Sequence, residues 1–192
     1  MATPGQLIDA YAAALCLPRS VVEANYRSLR EDGLVTKGGR GKSAPTSTPQ
    51  DAAALLIALM TRETAINASL TYVEFAALPL LIVFEPEVGD GADLPAIDMS
   101  AFDVPSTFVD GIVLLLAELP RLVADLDKSA KLAKRRIVIE TDVTGTTAGI
   151  RVGSSYAQYE SLESGLEPEH AMRTKRMVGE RSLAMIYDCL TK

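Results

Sequence analysis

Of the 19 lysine and arginine residues in this 192-residue chain, six fall in the first 50 positions. Arg19, Arg27 and Arg30 lie in the run RSVVEANYRSLRE, where Val22, Tyr26 and Leu29 recur at helical spacing and are predicted to turn inward. That leaves Arg19, Ser20, Val21, Glu23, Ala24 and Arg27 facing outward, with Arg30 long enough to reach past the helix end. Such a set offers guanidinium forks for acidic oxygens, a carboxylate and a hydroxyl for polar edges, and methyl-sized apolar groups at Val21 and Ala24. Lys37, Arg40 and Lys42 follow in TKGGRGKSAPTS, interleaved with Gly38, Gly39 and Gly41. Glycine lets a basic loop come close to a polyanion.

Other chemistries find less support in the sequence. Gly41-Lys42-Ser43 has the ending of a nucleotide-binding P-loop, but Thr36 stands where that motif needs glycine, and Pro45 and Pro49 follow where a helix should start. His170 is the only histidine. With no second histidine and no paired cysteines, Glu167, Glu169 and His170 lack the spacing of a zinc site and read as a solvated loop. Glu85, Glu87, Asp90 and Asp93 fit no calcium-loop spacing. No nucleophile accompanies the histidine, and Cys16 and Cys189 fall on the apolar faces of two expected helices, where they read as buried thiols rather than a disulfide. No enzyme activity, metal or cofactor is expected.

The elements that would position the basic residues can be read outward from them. Thr3-Pro4 is a helix start, and Leu7, Ile8, Tyr11 and Leu15 give one apolar stripe up to the break at Cys16-Leu17-Pro18. A second helix is expected over 18–32, ending at Gly33, with Leu34-Val35 starting an extended piece. Thr48-Pro49 opens a third helix through AAALLIALMTRETAINASL, apolar around much of its circumference. An apolar run, Phe75 to Phe84, comes next; its part from Leu78 to Phe84 is core first and dimer interface second. Residues 85–110 hold seven acidic and no basic side chains and read as an acidic loop. A helix over 107–126 follows, kinked or divided at Pro120. Lys128, Lys131, Lys134, Arg135 and Arg136 form a second basic cluster. Strands are expected from Arg136 through Asp142 and from Thr146 to Gly153 as a hairpin, with a third at Met172 to Val178 and a last helix ending near Leu190.

The order of helix, short turn, helix, Gly-Leu-Val and basic glycine-rich hairpin resembles the winged helix-turn-helix family of bacterial and phage DNA-binding proteins. The resemblance covers residues 6–43 and is most specific in Ser20 through Val35. It implies that the second helix lies in the major groove of duplex DNA and that Lys37, Arg40 and Lys42 of the wing meet phosphates. Glu23 departs from a strongly basic reading face, although a glutamate can accept from cytosine.

A composition of 48% hydrophobic and 23% charged residues excludes a disordered chain. The net charge of −6 does not exclude nucleic acid, because residues 1–50 carry six basic and four acidic side chains while the remainder carries the acidic excess. The first residues, MATPGQLIDAY, lack a basic leader and apolar run, and no apolar stretch is long enough for a bilayer, so a cytoplasmic location is expected. The expected architecture is α+β: a winged helix-turn-helix at 1–48, a connecting helix at 49–70, and a part at 71–192 with helices and a small antiparallel sheet for dimerisation or sensing of a protein partner or small-molecule effector. The expected function is a dimeric, sequence-specific transcriptional regulator. An assembly or adaptor protein that engages DNA, of phage or mobile-element type, and a winged module used for protein contact are the competing readings.

Overall fold

The computed structural model describes residues 2–37, 46–61, 67–84, 107–128, 137–142, 147–152, 155–160 and 175–191. The first helix, α1 (Pro4–Leu15), starts on a reciprocal cap. The Gln6 amide donates to Thr3 Oγ1 at 3.3 Å, and the Thr3 amide donates to the Gln6 side chain at 2.8 Å. It ends at Cys16, whose φ of +52° is left-handed and whose amide returns to the Ala12 and Ala13 carbonyls. Cys16 is exposed, Cys189 is half-buried and neither is joined in a disulfide among the described residues. This corrects the expectation of two buried thiols: Cys16 lies one residue past the last helical position, off the stripe that buries Leu7, Ile8 and Tyr11.

The second helix, α2 (Arg19–Glu31), is one residue shorter at each end than expected. Pro18 caps it, its carbonyl accepting from the amides of Val21 and Val22, and Asp32 and then Gly33 at φ +76° close it. Leu34 and Val35 form a bend instead of the extended start of a wing, and Val35 turns into the core. Residues 38–45 lie outside the described residues, so the hairpin of the wing is not among the elements observed.

The expected third helix is two. In α3 (Pro49–Thr61) every residue from Asp51 to Thr61 is buried, and α4 (Ala68–Ala76) begins after Asn67. A helix buried on all sides admits a charged side chain only where hydrogen bonds compensate it, and Arg62-Glu63 follows Thr61 directly in the sequence.

Five strands form one antiparallel sheet: β1 (Leu80–Phe84), β2 (Ile137–Asp142), β3 (Thr147–Val152), β4 (Ser155–Glu160) and β5 (Lys175–Gly179), in the order β1-β4-β3-β2-β5. The β2–β3 hairpin and β5 match the expectation. Strand β4 is not among the expected strands, because its inward residues Ser155, Ala157 and Tyr159 alternate with polar ones and carry only one bulky apolar group. Helix α5 (Phe108–Lys128) passes through Pro120 undivided, and it takes Asp110 from the expected acidic loop into its first turn. Residues 85–106 of that loop, the basic side chains at 131–136, and Glu167, Glu169 and His170 lie outside the described residues. Helix α6 (Glu180–Thr191) ends the chain as expected.

Helices cover one face of the sheet. Gly111 of α5 lets the helix approach so closely that a Cβ there would lie 2.3 Å from the Tyr159 hydroxyl, and Phe108 packs on the Tyr159 ring at 5.3 Å. Sheet side chains satisfy the C-terminal carbonyls of α3, Thr141 Oγ1 donating to Met60 O at 3.3 Å and Arg176 to Leu59 O at 3.5 Å. The Tyr11 hydroxyl donates to Ala52 O at 2.6 Å, and Ser182 of α6 donates to Ala14 O of α1 at 2.7 Å. One cluster of buried side chains therefore runs from Leu7 through α3 and the sheet to Ile186, across the boundaries expected at 48 and 70. No described helix is long and apolar enough to cross a membrane.

Candidate nucleic-acid interface

The periodicity of α2 sorts its residues as expected. Val22, Tyr26 and Leu29 are buried, while Arg19, Ser20, Arg27 and Arg30 are exposed and Val21, Glu23 and Ala24 half-buried. At about 100° per residue the outward set divides further. Arg19, Glu23, Arg27 and Arg30 share one stripe on the side of α1, Ser20 and Ala24 point farthest from the core, and Val21 lies on the opposite flank.

That stripe and the start of α1 enclose an open groove of about 240 Å³. Pro4, Gly5 and Ile8 line it from α1, and Arg19, Glu23, Tyr26, Arg27 and Arg30 from α2. The arginines are not equally available. Arg19 Nε sits 2.7 Å from Asp9 and its Nη1 2.8 Å from Glu23, whereas Arg27 Nη2 is 3.9 Å from Glu23. The hydrogen bond to Asp9 first, and then the Asp9 and Glu23 charges, push the Arg19 guanidinium above its ordinary value. Arg30 has no carboxylate at ion-pair distance among the described residues.

Lys37 is exposed, and its ammonium lies at the C-terminal end of α2, 3.7 Å from where a Cβ on Gly33 would stand. A cation there complements the helix dipole and extends the basic stripe beyond Arg30. Arg40 and Lys42 lie outside the described residues.

Asp51 is the residue that the sequence reading missed. Only 3% exposed at the third position of α3, it accepts from the Thr36 amide at 2.7 Å, the Thr36 hydroxyl at 2.9 Å and the Thr48 amide at 2.8 Å. Its own amide donates to Thr48 Oγ1 at 3.1 Å. One buried carboxylate thus ties together the two ends of the segment that carries Arg40 and Lys42. The spacing Thr48-x-x-Asp51 is a visible capping box, but nothing in it points to Thr36. A further tie is the Ser47 amide, which donates to Ala2 O at 2.8 Å.

Tyr26 lies behind the groove. Burial, reinforced by the Asp51 charge and opposed by Arg30, pushes its phenol up to about 12. On the far flank Ser28 and Ser69 of α4 pair at 3.0 Å, and the Asn25 amide nitrogen donates to Val21 O. Asn25 is fully buried, and its Oδ1 has no partner among the described residues. Among the described residues no three His, Cys, Asp or Glu side chains are grouped as metal ligands.

The chain matches no protein-family model, no curated protein and no solved structure.

Proposed function

We propose that the chain is a sequence-specific duplex-DNA-binding transcriptional regulator that acts as a homodimer. Its α2 reads the major groove, and the basic segment 36–43 meets phosphates as a wing. The observation that carries this reading is the solvent face of α2, where Arg19, Arg27 and Arg30 stand on one stripe beside Ser20 and Ala24, backed by buried Val22, Tyr26 and Leu29. Ser20 and Ala24 would meet base edges, and the arginine stripe would track one phosphate strand along the groove wall. Anchoring of residues 36 and 48 on Asp51 supports the wing assignment, since a phosphate-contacting loop gains from fixed ends. Two heads on a palindrome would multiply the affinity that one short helix supplies. Leu70 and Val73 of α4, 73% and 54% exposed, offer apolar surface for a second copy on a helix that adjoins α2 through Ser69.

The test is selection of bound sequences from random duplex at two salt concentrations, with sedimentation velocity on the free protein. An enriched palindrome and a dimer are expected. Binding without enrichment would replace the regulator with an assembly protein, and no binding at low salt would replace it with a protein-contact module.

A further inference from the structure

Among the described residues, Glu23 is the one acidic side chain lining the groove between α1 and α2. Its Oε2 accepts from Arg19 Nη1 at 2.8 Å, and its Oε1 stands 3.9 Å from Arg27 Nη2. A carboxylate between two guanidinium groups presents oxygens where a phosphate's oxygens would be taken. The side chains of Arg19, Glu23 and Arg27 are 53%, 42% and 61% exposed, so these pairs are weak and exchange readily.

We propose that Glu23 is an internal competitor for the DNA backbone and thereby a specificity-determining residue. The inference rests on the reading of α2 as the helix that faces duplex DNA. In the free protein the carboxylate holds Arg27 and shares Arg19 with Asp9; on binding, a backbone phosphate takes the place of Glu23 on the arginines and Glu23 is released toward the bases. Random duplex offers the released carboxylate no fixed partner. A site with a cytosine N4 amino group beneath it offers a donor, so the displacement is compensated only at a matching sequence. The carboxylate turns a basic stripe that would bind any polyanion into a selective one.

The experiment compares wild type, the isosteric variant Glu23→Gln and the control Arg30→Ala. Each is titrated by fluorescence anisotropy into random-sequence duplex and into inorganic polyphosphate across a range of salt. Glu23→Gln is expected to bind both polyanions about tenfold more tightly at low salt, with the slope of log K against log salt steeper by about one, since Arg27 loses its only carboxylate among the described residues while Asp9 still holds Arg19. Enrichment in sequence selection should shrink with it. Unchanged or weaker binding of both polyanions by Glu23→Gln would overturn the proposal, as would failure of both proteins to bind either one. Tighter binding of polyphosphate alone, with no duplex bound by either protein, would keep the competitor role and remove the duplex reading. Duplex binding by wild type that the variant leaves unaltered would do the reverse.

Discussion

Arg30 and Arg27 stand three residues apart on the same groove, yet their surroundings separate what each can contribute. Arg30 has no carboxylate at ion-pair distance among the described residues, so its charge is open to phosphate without exchange. Arg30→Ala should weaken binding to every duplex alike and lower the salt slope by about one. Arg27 must first leave Glu23 to meet the same backbone, so Arg27→Ala should weaken selected and random duplex alike but by less than Arg30→Ala does. Titrations of selected and random duplex check both, and a loss confined to the selected sequence for Arg27→Ala would move it to the set that meets base edges. Cys16 invites a different substitution. Its φ of +52° is costly for a side chain with a Cβ, so Cys16→Gly should raise stability by about 0.5–1 kcal/mol, read as a higher midpoint in thermal unfolding. The inward turn of Val22, Tyr26 and Leu29 was legible because helical period alone decides it. The role of Asp51 was not, because its link to Thr36 depends on how the chain returns over 15 positions.

Between elements, α5 approaches the sheet closely at Gly111. A methyl group there would meet the Tyr159 hydroxyl at 2.3 Å and Ile150 at 3.0 Å. Gly111→Ala should therefore destabilise by about 1–3 kcal/mol in denaturant unfolding, despite alanine's better helix propensity. Tyr159→Phe removes the obstructing oxygen, which is buried without a hydrogen-bond partner among the described residues, and should restore most of the loss when combined with Gly111→Ala. Additive effects of the two substitutions would refute this account of the contact. Sequence reading found α1, α2, α5, α6 and the β2–β3 hairpin, because capping residues and β-branched runs mark them locally. It did not find β4, whose membership in the sheet is decided by pairing with β1 and β3. Nor did it divide α3 from α4, since the apolar period continues on both sides of the break.

Across the molecule, the first helix does not rest on its neighbours in sequence alone. Tyr11 is bonded to α3, and α6 lies along α1 with Ser182 on the Ala14 carbonyl. A fragment of residues 1–48 should therefore fail to fold, giving a disordered circular-dichroism spectrum, and a melting transition in that fragment would show that the head is autonomous. Buried phenols set an alkaline limit on the whole fold. Burial raises the pKa of Tyr11, Tyr72, Tyr156 and Tyr159, and lifts Tyr26 to about 12. In the unfolded chain phenols ionise near 10, so it releases protons that the fold retains. The contribution of these phenols should be fully present below about pH 9 and be lost as pH rises from 10 towards 12. Phenolate absorbance from these side chains should appear together with loss of helix; appearance at lower pH, before unfolding, would mean that the phenols are open to solvent.

The tie between Thr36, Thr48 and Asp51 also bears on how this chain could change. Thr36 and Thr48 are held by a single carboxylate, and each doubling of a chain segment closed in this way costs only about 0.6 kcal/mol in closure entropy. That mounting is a socket that prescribes neither length nor charge for the sequence it brackets, so new contacts can evolve there without renegotiating the core.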